Sequence, residues 1–372
     1  MAKIAHLTSV HPRNDTRIFI KQCRSLAAHD YDITLIVADN KGEEYRDNVK
    51  IVDAGRLPGR INRILRTTQQ VFSKAVDLNA DLYHLHDPEL IPMGLKLRCL
   101  AKKVIFDSHE DVPADIRDKQ YINPLVRFVI SKIYEIYERR ACSQFDAIIA
   151  ATPYIKDKFL MINANSVDIN NYPILGELNL YNINDWSQKE LQVCYIGGIS
   201  VLRGVREIIH ALELTTSKVR LQIAGEFDAP DLKEEVKKYS GWKLADDLGF
   251  VNRDGVKMIL SRCMVGLVTF HPLLNHISAQ PNKMFEYMSA GIPVIASNFP
   301  LWSEIIEGND CGLCVDPLDP KAIANAIDFI IMNPDRARQM GENGLKAVQK
   351  YYNWDIEEAK LLRLYEQVLG VS

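Results

Sequence analysis

SAQPNKMFEYMSAGIPVIAS, residues 278–297, decides how the rest of the chain is read. Pro281 ends whatever precedes it, and Asn282 is placed to cap the helix that follows. That helix, KMFEYMSA, runs to Gly291, a residue suited to the left-handed turn that closes a helix. Ile292-Pro293-Val294-Ile295-Ala296 then reads as a buried strand entered through an edge proline. Lys283 and Glu286 are three residues apart, so they share one face near the positive end of the helix. A helix N-terminus offers N–H groups to an anion, and Lys283 adds a full charge beside them. Glu286, one turn in, is unsuited to a phosphate but can accept hydrogen bonds from a pair of sugar hydroxyls. Phosphate beside hydroxyls points to a nucleotide sugar. The plainer reading is an i,i+3 ion pair on a solvated helix. An apolar strand following at once argues against full solvation.

Working outward, 372 residues are enough for two domains of ordinary size. A hydrophobic content of 47% and a charged content of 25% are those of a soluble globular protein. The net charge of −3 gives no global basic field, so nucleic acid is not an expected partner. Seven scattered cysteines and a first stretch, MAKIAHLTSV, that reads as a strand suit reduced thiols in the cytosol. Cys311 and Cys314 form a lone C-x-x-C without a second pair, which is weak support for zinc or redox chemistry. No run approaches the roughly 20 apolar residues of a membrane span.

Strand and helix patterns alternate in two series. The first runs from Lys3–Thr8 through Ile33–Ala38, Asp81–His86, Val104–Asp107 and Ala147–Ala150, with helices between them. GELNLYNINDWSQKE, Gly176 to Glu190, loses the apolar period and reads as a linker. The second series starts at Gln192–Ile196 and ends in a helical tail from Lys321. This β-α-β order predicts an α/β protein with two parallel-sheet, Rossmann-like domains facing a central cleft. The expected boundaries are an N-terminal domain over 1–178, a linker over 179–190, a C-terminal domain over 191–352 and a final helix over 353–372.

The polar residues collect at strand ends. Gly197-Gly198 ends a strand, and Arg203-Gly204 opens the next helix, where backbone can approach a ligand and Arg203 can grip a phosphate with two bonds. A tight turn before an amphipathic helix is the simpler alternative. No G-x-G-x-x-G and no Walker loop occurs, which argues against dinucleotide oxidoreductases and P-loop NTPases. His84 and His86 lie on one side of a strand and, with Asp87, could ligate a metal. No further cluster of matching spacing supports that, so they read as lining of the cleft, and no essential metal or resident cofactor is expected. Asp15 lies between Arg13 and Arg17 in a charged loop where it can also cap a helix. Arg56, Arg60, Arg63, Arg66 and Lys74 accompany Leu57, Ile61, Ile64 and Leu65. That helix reads as a solvated basic face or as a surface resting on anionic lipid.

Taken together these motifs resemble the retaining GT-B glycosyltransferases of family 4, most strongly from Gln192 to Asp319. P-N-K-x-F-E-Y is similar to a branch that builds bacterial surface polysaccharide such as O-antigen or capsule. The resemblance implies transfer of a sugar from a nucleotide-sugar donor, UDP-linked by expectation, to a glycan or undecaprenyl-linked acceptor. It makes Glu286 the ribose ligand and Arg203 with Lys283 the diphosphate clamp. It makes His109, in FDSHED, the histidine that contacts the donor sugar. The family's second glutamate, eight positions before Glu286, is Ser278 here, which leaves the backbone amides of Ala279 and Gln280 as substitutes. The family's arginine just after the glycines is also missing. Gly197, Gly198, Phe250, Ser278, Ala279, Gln280 and Asn282 complete the expected donor site. Arg13, Asp15, Arg17, His84, Asp87 and Glu110 form the expected acceptor side, the two arginines suiting a phosphate-bearing acceptor. A 2-epimerase or hydrolase of the same fold, and a nucleotide-sugar binder without turnover, are the alternatives. The expected location is the cytoplasm, peripheral to the inner face of the membrane.

Overall fold

The computed structural model describes residues 1–119, 121–178 and 186–370. The chain divides into two compact units, Met1–Asn171 with Asp355–Ser372, and Tyr172–Trp354. The first unit therefore stops short of residue 178. Tyr172 and Leu178 belong to the apolar core of the second unit, where the Tyr172 ring packs against Phe285 and Tyr352. Residues 179–185, most of the expected linker, lie outside the described residues.

In the first unit the strands are β1 (Lys3–Leu7), β2 (Asp32–Val37), β3 (Glu44–Arg46), β4 (Val49–Asp53), β5 (Leu82–Leu85), β6 (Lys103–Ser108), β7 (Ala147–Ala150) and β8 (Ser166–Asp168). They form one sheet in the order β3-β4-β2-β1-β5-β6-β7-β8, parallel except for β3. The β3–β4 hairpin was not anticipated from sequence. Its turn residues Asp47 and Asn48 both have positive φ, 51° and 61°, the backbone of the two-residue turn that suits twisted strands. The inner strands are apolar on both faces, as a sheet covered by helices on both sides requires.

The second unit holds β9 (Gln192–Ile196), β10 (Arg220–Ala224), β11 (Ala245–Gly249), β12 (Val265–Val268), β13 (Val294–Ser297) and β14 (Gly312–Val315). They form a sheet in the order β11-β10-β9-β12-β13-β14, all parallel. Two apolar clusters, centred on Tyr287 and Trp302 and on Ile208 and Ile327, fill its two faces. Cys311 is buried and its thiol lies 3.3 Å from the Ile306 carbonyl; both it and Cys314 are free thiols.

The C-terminal helix Trp354–Leu369 is part of the first unit from Asp355 onward. Tyr365 is fully buried there, with its hydroxyl 2.7 Å from His84 Nδ1 and 3.2 Å from His6 Nε2. His6 Nδ1 in turn lies 2.9 Å from His86 Nε2. Beneath them Asp107 accepts two bonds from Arg17, at 2.9 and 2.7 Å, and one from Gln22 at 2.9 Å. Burial alone would raise the Asp107 carboxyl, but Arg17 and His109 hold it well below the usual carboxylate range. Burial also pushes His6 and His84 well below the ordinary imidazole value and His86 down to about 3.

These three imidazoles are neutral in the fold and become protonated near pH 6.5 when the chain unfolds. Their stabilising effect is complete above that pH and is lost as pH falls from there toward about 3. Thermal unfolding followed by circular dichroism is therefore expected to show a midpoint that drops between roughly pH 7 and 5. His84→Gln, which removes one titrating group, should make that decline less steep. Equal slopes would contradict the burial argument.

Candidate functional site

In the second unit the strand order turns back between β9 and β12, so the loops leaving their carboxyl ends diverge and leave a crevice. Gly197-Gly198 follows β9, and Thr269-Phe270 follows β12. Gly204 closes the first loop with φ +81°, and a Cβ there would overlap the Thr269 carbonyl, so only glycine lets the two loops meet. The helix Asn282–Ser289 lies close against β12, because Gly266 has no side chain to strike the Tyr287 ring. The Tyr287 hydroxyl accepts from the Ile196 N–H at 3.0 Å, which ties the helix to β9 as well.

One turn before Tyr287, Lys283 is carried under the glycine loop. It is 8% exposed, with Nζ 3.7 Å from the centre of the Tyr195 ring and 5.5 Å from that of Phe270. Its ammonium has no hydrogen-bond partner among the described residues. A Cβ on Gly197 would lie 3.4 Å from the ammonium, so the glycine is what keeps that side open. The Arg203 guanidinium sits 5.5 Å over Phe270 and donates to the Gly198 carbonyl at 3.2 Å. Burial first, and Arg203 second, push the Lys283 ammonium well below its ordinary pKa. Two cations thus share one aromatic ring beside a glycine turn.

Asn282 is not the cap the sequence suggested. It is the first helical residue, Pro281 holds the capping position, and no side chain bonds the first N–H groups. Gly291 closes the other end with φ 68°. Glu286 is engaged by a residue that sequence reasoning missed: Arg253 Nη1 donates to its Oε1 at 2.7 Å. The rest of the Arg253 fork holds Glu177, at 2.9 and 2.8 Å. Asn252 caps the helix Arg253–Arg262 and so fixes where Arg253 starts. Polar N-R-D-G after a strand was the available signal, but a partner 33 residues away is invisible in sequence.

Of the two backbone amides expected to substitute for the missing glutamate, that of Ala279 is already engaged. The Ala279 amide donates to the His276 carbonyl at 3.1 Å, and the Ala279 carbonyl accepts from Trp302 Nε1 at 2.7 Å. Gln280 Oε1 accepts from the Tyr172 hydroxyl at 2.8 Å. Ser278 follows the short helix Leu274–Ile277 and is partly exposed. Phe250 is 77% exposed after β11, an edge strand two places from β9.

In the first unit the order turns back between β1 and β5, and the polar groups gather there. Asp87 accepts from the Ser9 N–H at 2.6 Å and the Thr8 hydroxyl at 2.9 Å. His109 has Nε2 3.3 Å from Asp107 and remains partly exposed. His11, which the sequence reading passed over, lies 3.3 Å from Asp15 and 3.4 Å from Asp87, its ring 5.0 Å from that of His109. Burial opposes its charge, but the Asp15 bond and the nearby carboxylates raise its pKa. Glu110 is exposed beside them.

Four of the expected acceptor contacts have other duties. Arg13 is paired with Asp39 at 2.7 Å and Glu44 at 2.9 Å, and Arg17 is locked on Asp107. Both guanidinium groups are buried with their charge already matched. His84 is wholly buried against Tyr365, and Asp15 caps the helix that starts at Thr16 by accepting from the Arg17 and Ile18 N–H groups. Two groups, His6-His84-His86 and His86-Asp107-His109, bring potential metal-ligand atoms within 4.8 Å of one another. In the first, a nitrogen of each imidazole takes part in the hydrogen-bond chain through Tyr365, and in the second, Asp107 is already held by Arg17 and Gln22.

Two family descriptions match the chain, Glycosyltransferase Family 4 over residues 17–166 and Glycosyl transferases group 1 over 179–347. An uncharacterized glycosyltransferase of Methanocaldococcus jannaschii is 23% identical over 98% of both chains. Among solved structures, the sucrose-phosphate synthase from Thermosynechococcus elongatus superposes with a TM-score of 0.80 over 100% of both chains at 18% identity. Anabaena HepE in complex with UDP-glucose does so with a TM-score of 0.76 over 99% of this chain and 100% of that one, at 13% identity. Two largely parallel Rossmann-like sheets, each with its polar groups at the switch point, and family matches along both halves show a glycosyltransferase of the GT-B type with the group 1 and family 4 fold.

Proposed function

We propose that the protein transfers a hexosyl or N-acetylhexosaminyl group from a UDP-sugar, with retention of configuration, to a glycan or lipid-linked acceptor in surface-polysaccharide synthesis. The observation that carries this reading is the buried, unpartnered Lys283 ammonium beside Arg203 and the Gly197-Gly198 turn. Two cations over one aromatic ring beside a glycine turn form a place for a diphosphate. Glu286, one turn further along the same face, suits the ribose hydroxyls, with Arg253 fixing the orientation of its carboxylate. The UDP-glucose complex of the Anabaena neighbour supports the choice of nucleotide. The P-N-K-x-F-E-Y resemblance supports the surface-polysaccharide setting.

In the reaction, the bond between the anomeric carbon and the diphosphate oxygen breaks as the bond to the acceptor oxygen forms. Negative charge grows on the departing phosphate, where Lys283, Arg203 and the uncapped N–H groups of Asn282–Ser289 are already oriented to meet it. The acceptor proton leaves with a donor phosphate oxygen, so no protein nucleophile is required. His109 is the group we propose for contact with the transferred sugar, with Glu110 and Asp87 on the acceptor side.

Lys283→Ala should lower turnover of a UDP-sugar by roughly a hundredfold or more while weakening donor binding less, since demand for charge peaks in the transition state. Glu286→Gln should weaken UDP itself by about 1 to 3 kcal/mol by calorimetry. Arg262→Ala, exposed and facing Glu190, is the control and should change neither. UDP binding by Glu286→Gln equal to that of the parent protein would remove the ribose assignment. Donor consumed without acceptor would point instead to an epimerase or hydrolase.

Arg253→Lys keeps the charge but loses the fork that joins Glu177 to Glu286. The expected result is a raised KM for the donor with kcat little changed, measured under acceptor saturation. A fall in kcat alone would assign Arg253 to the chemistry rather than to positioning.

A further inference from the structure

The helix Pro124–Cys142 in the first unit is amphipathic the wrong way round for a helix on a protein core. Its inward face carries Ser131, whose hydroxyl donates to the Pro113 carbonyl at 2.8 Å, and Glu138, paired with Lys158 at 2.6 Å. Of its buried residues, Ala141 and Cys142 are the only apolar ones. Its outward face carries Leu125, Val129, Ile133 and Ile136, a ridge at helical spacing that is 46% to 72% exposed. Val126 and Phe128, also exposed, broaden the ridge on either side. Folding gains nothing from apolar groups left in water, so a contiguous patch of this kind marks a surface that meets something else.

The charges on that face select what it meets. Lys132, Arg139 and Arg140 are exposed among the apolar residues, and Glu135 is the sole acidic neighbour on the helix surface, paired with Lys132 at 2.8 Å. A second copy docking the same face would bring these cations against their own kind with little to answer them. An anionic lipid surface answers them directly. A helix with an apolar face and flanking cations lies in the plane of the interface, with its side chains among the acyl chains and its cations at the headgroups.

We propose that this helix face docks the protein on an anionic membrane surface. This goes beyond the transfer reaction and adds a second surface to the Arg60–Arg66 segment that the sequence suggested, where Ile61 and Leu65 are also exposed. In that segment Arg63 is held by Glu89 at 3.0 Å.

The test is co-sedimentation of the full chain with vesicles of phosphatidylcholine alone or with added phosphatidylglycerol, over a salt series. Binding to the anionic vesicles should be at least about tenfold stronger and should weaken as salt rises. Phe128→Glu with Ile133→Glu should abolish it, and Arg139→Glu with Arg140→Glu should remove the preference for anionic lipid. Unchanged circular dichroism and UDP affinity show that each variant is folded, since none of these residues touches the proposed donor site. A parent protein that ignores anionic vesicles at low salt overturns the proposal. So does loss of binding in Arg60→Glu with Arg66→Glu but not in the helix variants. A concentration-dependent dimer that Phe128→Glu with Ile133→Glu breaks, without vesicle binding, assigns the face to a second copy instead.

Discussion

A buried ammonium without a hydrogen-bond partner is costly, and the second unit is arranged so that one is held at its switch point. The helix that carries Lys283 is pinned by its own apolar side, with Tyr287 against Gly266 and its hydroxyl on the Ile196 N–H. The glycine turn after β9 leaves the space in front of the ammonium open, and aromatic faces of Tyr195 and Phe270 soften its desolvation. The Glu286 carboxylate offsets its charge only in part, being turned to Arg253, which is itself braced by Glu177. Such a group is stable only because packing over-determines its place. It becomes well satisfied when an anion arrives.

The first unit solves a different problem around Asp107. Three neutral imidazoles and a tyrosine from the last helix are packed above a carboxylate that Arg17 and His109 hold ionised. That network fixes the carboxyl ends of β1, β5 and β6 and attaches the C-terminal helix to them. His109 and His11 stand at the partly exposed rim of the same cluster. Rigid support below and accessible imidazoles above is the arrangement that a positioned sugar or acceptor requires.

Local patterns carried a good part of this in the sequence. The alternation of apolar strands and amphipathic helices gave the two sheets, and P-N-K-x-F-E-Y with Gly291 gave the helix and its closing turn. The glycine pair and Arg203 were visible for the same reason, since they are read within one loop. What was hidden depends on partners far along the chain. Arg13 and Arg17 looked free for an acceptor, yet their carboxylates lie 26 and 90 residues away. Arg253 and Glu286 meet only in the fold. The β3–β4 hairpin was missed because its strands are short and its Asp-Asn turn lacks the glycine that usually marks one. Only burial shows that the apolar face of the Pro124–Cys142 helix points outward.

The central claim is that Lys283 waits for a diphosphate, and proton linkage tests it directly. Burial beside Arg203 depresses the ammonium, and a bound diphosphate would restore it, so binding should draw a proton from solution at pH values between the depressed and the ordinary lysine pKa. Calorimetric titration of UDP in buffers of different ionisation heat measures that uptake. The account predicts net proton uptake in the parent protein and none in Lys283→Met. Tight UDP binding with the same proton exchange in both proteins would show that the diphosphate does not reach Lys283.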